Sequence, residues 1–575
     1  MKIDRSRLGT YGILEIVSYM THATTSISAN SKSKANASGG ALGIKETLTS
    51  LIIAFILAFL FRGFVIEGFQ IPTGSMAPTL MGKHVRFVSP YNGYDWSVGP
   101  WTYAPRSPVP MRQQMNMKVK DPMSALTITD TNRRLAAGDR VFVLKYLPFL
   151  HQPERWDVVV FKNPGTHENY IKRLVGLPGE QVAIVDGDVF TRPFVDGQTS
   201  VSGWDAWAES GWDIARKSER IQRTMFLDVY DSRYVPMPMD PGFRSPFTGM
   251  TPGWEGVETN AKYRYTGSSS TALAWNTNRE ITDANAYNQT SERFDLFARS
   301  DDKNIRLRPF PVSDVAVTLN IEANEEPVQI SAVLEARGME FRGVVDSAAG
   351  KARVEMRAAT TADSDWTTLD EGSFSAFEVG EIYHIEFWHV DQALWLFLGD
   401  KLVCGGTERG AYQLSPAQRA MAATGMSLEE LAEDRVLGDG VRNLGVFART
   451  DIYRKPTFRW TFSGGPFTVH NVTVQRDIAY QINRGRPTRG GHPDFFPTLN
   501  GDEFFMCGDN SSNSADSRLW LPNEINKWVH QEIDNRPGMV HRDLIVGKAF
   551  MVYFPALLDD GPVLTPDMGR MRWIW

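Results

Sequence analysis

The run Thr47-Leu-Thr-Ser-Leu-Ile-Ile-Ala-Phe-Ile-Leu-Ala-Phe-Leu-Phe61 constrains this chain more than any other feature. It continues through Arg62 and Gly63-Phe-Val-Ile66, so 20 residues carry a single charge, placed near the end. About 20 apolar residues are what a helix needs to cross a bilayer, and a terminal arginine can reach the headgroups. A buried core helix or a cleaved leader would share the composition, but no small-x-small cleavage pattern follows Ile66. The reading is one transmembrane anchor over 44–66. Ahead of it, the Ser/Ala/Asn/Gly/Lys-rich stretch Ser26–Gly40 has too little apolar surface to offset chain entropy, which makes 1–43 a flexible tail. Lys2, Arg5, Arg7, Lys32, Lys34 and Lys45 keep that tail cytoplasmic by the positive-inside rule. The body then lies outside.

Composition narrows what the body does. At roughly 150 residues per domain, 575 residues amount to about four domains. A net charge of −6 gives no basic surface for nucleic acid, so that partner is not expected. Two cysteines, Cys404 and Cys507, exclude a disulfide framework and a multi-cysteine zinc site, and each reads as a buried thiol. A mean hydropathy of −0.29 excludes a polytopic membrane protein.

Three segments carry the chemistry. In Gly68-Phe-Gln-Ile-Pro-Thr-Gly-Ser75-Met-Ala-Pro-Thr-Leu80, two prolines and a glycine constrain the backbone around one serine. Such a turn can set a hydroxyl beside backbone N–H groups, the geometry of a nucleophile with an oxyanion hole. Asp157-Val-Val-Val-Phe-Lys162 reads as a buried strand, followed by Tyr170-Ile-Lys172-Arg-Leu-Val-Gly-Leu-Pro-Gly-Glu180. Lys172, between Ile171 and Leu174, is pressed toward apolar surroundings. The third segment, Gly508-Asp-Asn-Ser-Ser-Asn-Ser514-Ala-Asp516-Ser-Arg518, is dense in short polar side chains and offers an Asp516–Arg518 pair.

In this order, together with Gly138-Asp-Arg-Val-Phe-Val-Leu-Lys145 and Gly547-Lys-Ala-Phe-Met-Val-Tyr553, the segments resemble bacterial signal peptidase I, a membrane-anchored Ser/Lys endopeptidase. The resemblance spans about a third of the chain. It implies a mainly β protein: an all-β catalytic core, one N-terminal transmembrane helix and, here, a large inserted β-sandwich. It implies removal of signal peptides from exported preproteins at the bacterial cytoplasmic membrane, with no metal or organic cofactor. Ser75 would be the nucleophile and Lys172 the general base. Ser514 would orient the Lys172 amine, and the Ser75 N–H with the Thr73 hydroxyl would form the oxyanion hole. Asp509, Asp516, Arg518 and Arg173 would hold the backbone of the site. Phe69, Ile71, Pro72, Met76, Leu80, Tyr170 and Ile171 would line apolar pockets for small substrate side chains. A base must be neutral, and lowering a lysine from ~10.4 to about 8 takes ~3 kcal/mol, which burial can supply.

Two stretches interrupt the resemblance. Leu80 and Gly138 are separated by 57 residues that include Ser89-Pro-Tyr-Asn-Gly93. That pentapeptide resembles Cys-Pro-x-Cys-Gly without its thiols, so 81–137 is either a degenerate zinc ribbon or a plain polar loop. The second stretch, 191–475, divides a catalytic core of 67–190 and 476–575. Val315–Ile321, Ala332–Leu334, Ala352–Met356 and Val469–Val474 alternate apolar and polar residues, and Tyr383–Val390 with Leu394–Leu398 reads as a hairpin. Together they resemble a laminin-G or concanavalin-like sandwich, whose ligand would be a glycan or a protein. Ser427-Leu-Glu-Glu430 marks one helix start. Trp388 and Trp395 suit sugar stacking only if exposed; core packing is the commoner fate of strand tryptophans. His384 and His389 fall on opposite faces of their strand, and none of the ten histidines sits in a triad or zincin motif. The alternatives are an anchored binding protein on an inactive peptidase scaffold and a self-cleaving Ser/Lys repressor. Retention of both Ser75 and Lys172 disfavours the first, and the membrane span disfavours the second.

Overall fold

The computed structural model describes residues 39–100, 114–145, 152–194, 203–237, 240, 242–259, 261–290, 296, 297, 299, 308–359, 365–433, 446–482, 488–558 and 565–574. The tail expected over 1–43 lies outside these residues as far as 38. Gly39–Phe64 is one α-helix of 26 residues. Its Glu46–Phe64 portion has a mean hydropathy of 2.0 and no buried residue, and among the described residues it is the one helix long and apolar enough to cross a membrane. The helix stops two residues before the expected Ile66. Val65 and Ile66 are β-branched, and Ile66–Gln70 instead pairs antiparallel with Arg140–Lys145.

Val65–Trp575 forms a second unit, built on an antiparallel sheet. Its strand order is Ile66–Gln70, Arg140–Lys145, Ile545–Phe554, Val158–Lys162, Asn169–Gly176, Glu503–Cys507 and Val540–His541. Both faces are covered. Val158 and Val160 pack with Ile71, Val141 and Ile171, whereas Val159 and Phe161 pack with Leu174, Phe504 and Trp520. Burial on both faces explains why Val158–Phe161 is a continuous apolar run rather than an alternating one. Residues at opposite ends of the sequence thus become neighbours: strand Asn169–Gly176 pairs with Glu503–Cys507, Cys507 opposite Arg173.

Between Leu80 and Gly138 run two hairpins, Val85–Val88 with Asp95–Val98 and Gln114–Lys120 with Thr127–Arg134. Their turns meet. Ser89 Oγ donates to Asp121 Oδ2 at 2.6 Å and Asn92 Nδ2 to the same oxygen at 2.9 Å, while Asp121 Oδ1 accepts from the N–H of Met123 and Ser124.

Two further sheets form the sandwich. One has the order Trp254–Glu255, Tyr263–Tyr265, Phe467–Arg476, Val315–Ala323, Ile382–Val390, Ala393–Leu398 and Lys401–Gly405; the other runs Phe247–Gly249, Thr271–Trp275, Thr457–Ser463, Gln329–Ala336, Met339–Asp346, Lys351–Ala358 and Thr367–Ser373. Val315, Val317, Leu319 and Ile321 of the first share one core with Ile330, Ala332, Leu334 and Trp460 of the second, at the period of two that their alternation announced. The sandwich strands begin only near Leu227, well after the expected 191; Asp188–Pro193 still pairs with Glu180–Val185. The hairpin at Asp391 closes on two residues of positive φ, Asp391 at 48° and Gln392 at 55°, the backbone twist that suits a two-residue β-turn. Ser427 and Glu430 form the expected capping box on Leu428–Ala432. Cys404 and Cys507 are free and buried.

Where the sandwich meets hairpin Glu180–Pro193, buried charges interleave. Arg337 reaches Asp186 at 2.6 Å and Asp314 at 2.5 Å, Arg419 bonds Asp186 and Asp188, and Lys217 bridges Asp391 and Asp477 at 2.6 and 2.9 Å. Removing one partner of a buried pair leaves the other unpaired and costs about 3–5 kcal/mol. Arg337→Met is therefore expected to lower the thermal midpoint of the full chain in detergent by several degrees, as read by circular dichroism.

Candidate active site

Ser75 lies in a 3-10 turn, Gly74–Met76, that leaves strand Ile66–Gln70. Met76 and Leu80 plug this turn into the sheet's core at 0% exposure, and that packing fixes where the serine points. Lys172 comes from the middle of strand Asn169–Gly176, opposite Val159. Its Nζ stands 2.7 Å from Ser75 Oγ and 2.9 Å from Ile171 O. The lysine is 3% exposed and the serine 9%. Burial pulls the lysine down to about 8, against the opposing pull of Asp516 and Asp509. A neutral amine is thus within reach near neutral pH, at hydrogen-bond distance from a hydroxyl. Thr73 Oγ1 lies 3.5 Å from Ser75 Oγ, on an exposed residue.

Two buried ion pairs frame the dyad. Arg173 grips Asp509 through Nε and Nη2 at 2.8 and 2.6 Å, and Thr79 Oγ1 donates to the same carboxylate at 2.6 Å. Arg518 grips Asp516 through Nε and Nη2 at 2.9 and 2.7 Å, while the Gly508 N–H donates to Asp516 at 2.9 Å. Burial alone would raise Asp516, but Arg518 carries it below the usual carboxylate range. Both acids are ion-paired and neither touches Ser75 or Lys172 through a hydrogen bond. Four buried carboxylates, Asp188, Asp314, Asp391 and Asp477, come close enough together to hold an ion, but they are already threaded with Lys217, Arg337 and Arg419.

The family of these residues is decided by what they match. The family described as signal peptidase, peptidase S26 matches residues 44–108, 122–200 and 467–554, which contain every residue of this site. Over those segments the chain is similar to the signal peptidase S26 family. The region left between the last two matches, 201–466, holds most of both sandwich sheets, so the matched core carries an inserted domain. Signal peptidase I of Buchnera aphidicola subsp. Schizaphis graminum is 30% identical over 137 residues, 24% of this chain and 30% of that protein. The Rickettsia prowazekii enzyme is 26% identical over 148 residues, covering 26% and 43%. For the Rickettsia akari enzyme the figures are 27% over 216 residues, 36% and 65%. The chain thus spans under half the length of the first two. Among solved structures, the carbohydrate binding module CBM66 from Bacillus subtilis aligns with 40% of the chain at 9% identity and a TM-score of 0.22, too low to carry any inference.

Within this site, not every expected residue takes the expected place. Ser514 Oγ is buried and is not bonded to the Lys172 amine, which instead has Ile171 O as its second partner. Ile71, Met76 and Leu80 are sealed in the core at 2%, 0% and 0% exposure, so they shape the turn from beneath and offer no surface to a substrate. Phe69, Pro72 and Tyr170 keep accessible surface, and Ile171 keeps a little. Trp388 and Trp395 pack with Phe226 and Phe397 in an apolar cluster, which removes them as sugar-stacking platforms. His389 is buried between Ser313 O and Tyr412 Oη, whereas His384 bonds Asn320 and Glu386.

Sequence reasoning passed over Asn510. Its N–H donates to Ser75 O at 3.1 Å and its Nδ2 to Gly74 O at 2.9 Å. The residue stood in a segment already singled out, but nothing in its spacing marks an asparagine as the clamp on a turn 435 positions away. Gly508 was passed over too. A Cβ there would overlap Ser514 Oγ and come within 2.6 Å of Ser75 O. Gly508→Ala is expected to displace the Ser75 turn, costing about 1–3 kcal/mol of stability. Chemical denaturation would measure the first effect, and a crystal structure of the variant would show a Ser75–Lys172 separation above 3.5 Å.

Proposed function

We propose that the chain is a membrane-anchored serine endopeptidase that removes signal peptides from exported preproteins. The observation that carries this reading is the buried contact of 2.7 Å between Lys172 Nζ and Ser75 Oγ. Neutral Lys172 takes the Ser75 proton as Oγ attacks the scissile carbonyl. The oxyanion is received by the Ser75 N–H and the Thr73 hydroxyl, with donors placed where charge develops rather than on the resting carbonyl. Collapse of the tetrahedral intermediate releases the amine of the mature protein, which receives the proton from Lys172. The acyl-enzyme left on Ser75 is then hydrolysed by water that Lys172 deprotonates. Asp509 with Arg173, and Asp516 with Arg518, hold the backbone around the dyad; Ser514 packs beside it across Gly508. Phe69, Pro72 and Tyr170 form the accessible apolar lining for small side chains ahead of the cut.

The helix Gly39–Phe64 anchors the enzyme, the positively charged tail ahead of it stays cytoplasmic, and the body lies outside. Ser75 follows the helix end at Phe64 by 11 residues. A substrate whose apolar segment stays in the bilayer shares the membrane with the enzyme, which raises the effective concentration. Lys172→Met and Ser75→Ala are each expected to abolish cleavage of a preprotein while leaving the thermal transition in place. Near-normal cleavage by either variant would sink the dyad. Because the ammonium cannot accept a proton, kcat/KM should climb tenfold per pH unit below about 8 and level off above it. A profile flat between pH 6 and 8 would deny Lys172 the role of base.

The stretch 81–137 reads as a zinc ribbon that no longer holds metal. Ser89, Asn92, Asp121 and Ser124 stand on two facing hairpin turns, and hydrogen bonds among them fill the place of metal–thiolate bonds. Changing all four to cysteine is expected to create a site for one Zn²⁺ with four sulfur ligands at about 2.3 Å, visible by X-ray absorption under reducing conditions. A reduced variant that takes up no zinc would leave only two hairpins.

A further inference from the structure

The inserted domain reaches back to the nucleophile. Residues 285–288 lie in 201–466, outside the S26 match, yet they contact the turn that carries Ser75. Asn285 Nδ2 donates to Ala77 O at 3.1 Å. The Tyr287 hydroxyl donates to Lys83 O at 2.6 Å, and the tyrosine ring lies so close against Gly74 that a Cβ there would fall inside it. Asn288 and Asn510 exchange two amide hydrogen bonds: Asn288 Nδ2 to Asn510 Oδ1 at 2.7 Å, and Asn510 Nδ2 to Asn288 Oδ1 at 2.9 Å. Asn285, Tyr287 and Asn288 are buried at 8%, 2% and 2% exposure.

The reciprocal pair has a consequence for the site. A carboxamide can turn over, exchanging oxygen and nitrogen. Asn510 must present Nδ2 to Gly74 O; turned over, it would set Oδ1 against that carbonyl, acceptor against acceptor. Asn288, whose own Oδ1 also accepts from Asn513 Nδ2 at 3.2 Å, supplies a donor for Oδ1 and an acceptor for Nδ2, and so holds Asn510 in that orientation. Asn510 in turn holds the carbonyls of Gly74 and Ser75, the two peptide units that aim the serine. From these contacts we infer that Asn288, supported by Asn285 and Tyr287, is a positioning residue: the inserted domain sets the Ser75 turn for catalysis, acting through Asn510. This rests on the reading of Ser75 as nucleophile.

The contribution falls on kcat. Displacing a nucleophile by about 1 Å can cost on the order of 100-fold, whereas substrate contacts on Phe69, Pro72 and Tyr170 are untouched. Full-length variants in detergent would be assayed on a preprotein at pH 8.5, each checked for a cooperative thermal transition. Asn288→Ala is expected to lower kcat at least tenfold with KM within twofold of the parent. Asn285→Ala, which cuts one hydrogen bond and is the milder lesion, is expected to lower kcat about threefold with the same KM. Unchanged kcat in a folded Asn288→Ala, or a loss confined to KM, overturns the inference. If Asn288→Ala does not fold, Asn285→Ala decides on the same criterion. Ser75→Ala runs in parallel: its inactivity keeps the nucleophile reading in force whatever Asn288 does, and its activity would remove that reading, and with it the inference.

Discussion

A lysine amine buried against a serine hydroxyl in a dry niche is the interaction on which the rest of this molecule depends. Lowering Lys172 from an ordinary lysine to about 8 amounts to roughly 3 kcal/mol of penalty on the charged form. The penalty requires surroundings that do not relax. A covered sheet supplies them, with Val159 opposite the lysine and Ile171 and Leu174 along its strand. The carboxylates nearby, Asp509 and Asp516, would undo the effect by drawing the ammonium in. Each is instead gripped by its own arginine, through two hydrogen bonds. The ion pairs therefore serve the lysine as much as the backbone. They keep the site's negative charge answered without placing a salt bridge on Lys172 itself.

Chain connectivity makes this harder to achieve here than in a short protein. The serine, the lysine and the Gly508–Arg518 segment come from three widely separated stretches, divided by two hairpins and by a sandwich with a core of its own. An insertion of that size could loosen the halves it separates. Two devices oppose this. The buried charges of Asp186, Asp188, Asp314, Arg337 and Arg419 join the sandwich to hairpin Glu180–Pro193, and Asn285–Asn288 reaches the serine turn directly. Such pairs contribute little net stability over apolar packing, but they tolerate one arrangement and penalise others. In a split core that selectivity matters more than the energy.

How much was readable in advance depended on the range of the interaction. Alternation in Val315–Ile321 gave a strand because the pleat has a period of two whatever surrounds it, whereas in Val469–Val474 the core residues Val469 and Val472 are three apart and a bulge at His470 brings them to one face. The capping box at Ser427–Glu430 and the hairpin at Asp391 are likewise local. The apolar helix was legible but its bounds were not: it begins at Gly39, inside the expected tail, and ends two residues early, since pairing with Arg140–Lys145 claimed Ile66. Assigning Met76 and Leu80 to a substrate lining failed for a different reason. An apolar residue beside a nucleophile looks the same in sequence whether it faces a ligand or the core, and only packing tells them apart. Ser514 shows the same limit: its proximity to the site was foreseen, but not that its buried Oγ would stand off the Lys172 amine.

By itself the sequence determined a helix long and apolar enough to cross a membrane, the strand periodicities and the residue types from which a Ser/Lys site can be made, because apolar run length, pleat and functional-group chemistry are properties of short stretches. Tertiary structure alone decided that Ser75 and Lys172 meet at 2.7 Å, that Arg173 takes Asp509 and Arg518 takes Asp516, and that Asn288 of the insertion faces Asn510. Those contacts join positions far apart in the chain, and no local pattern encodes a partner across such a distance; the register of the sheet and the closing of the sandwich onto it do.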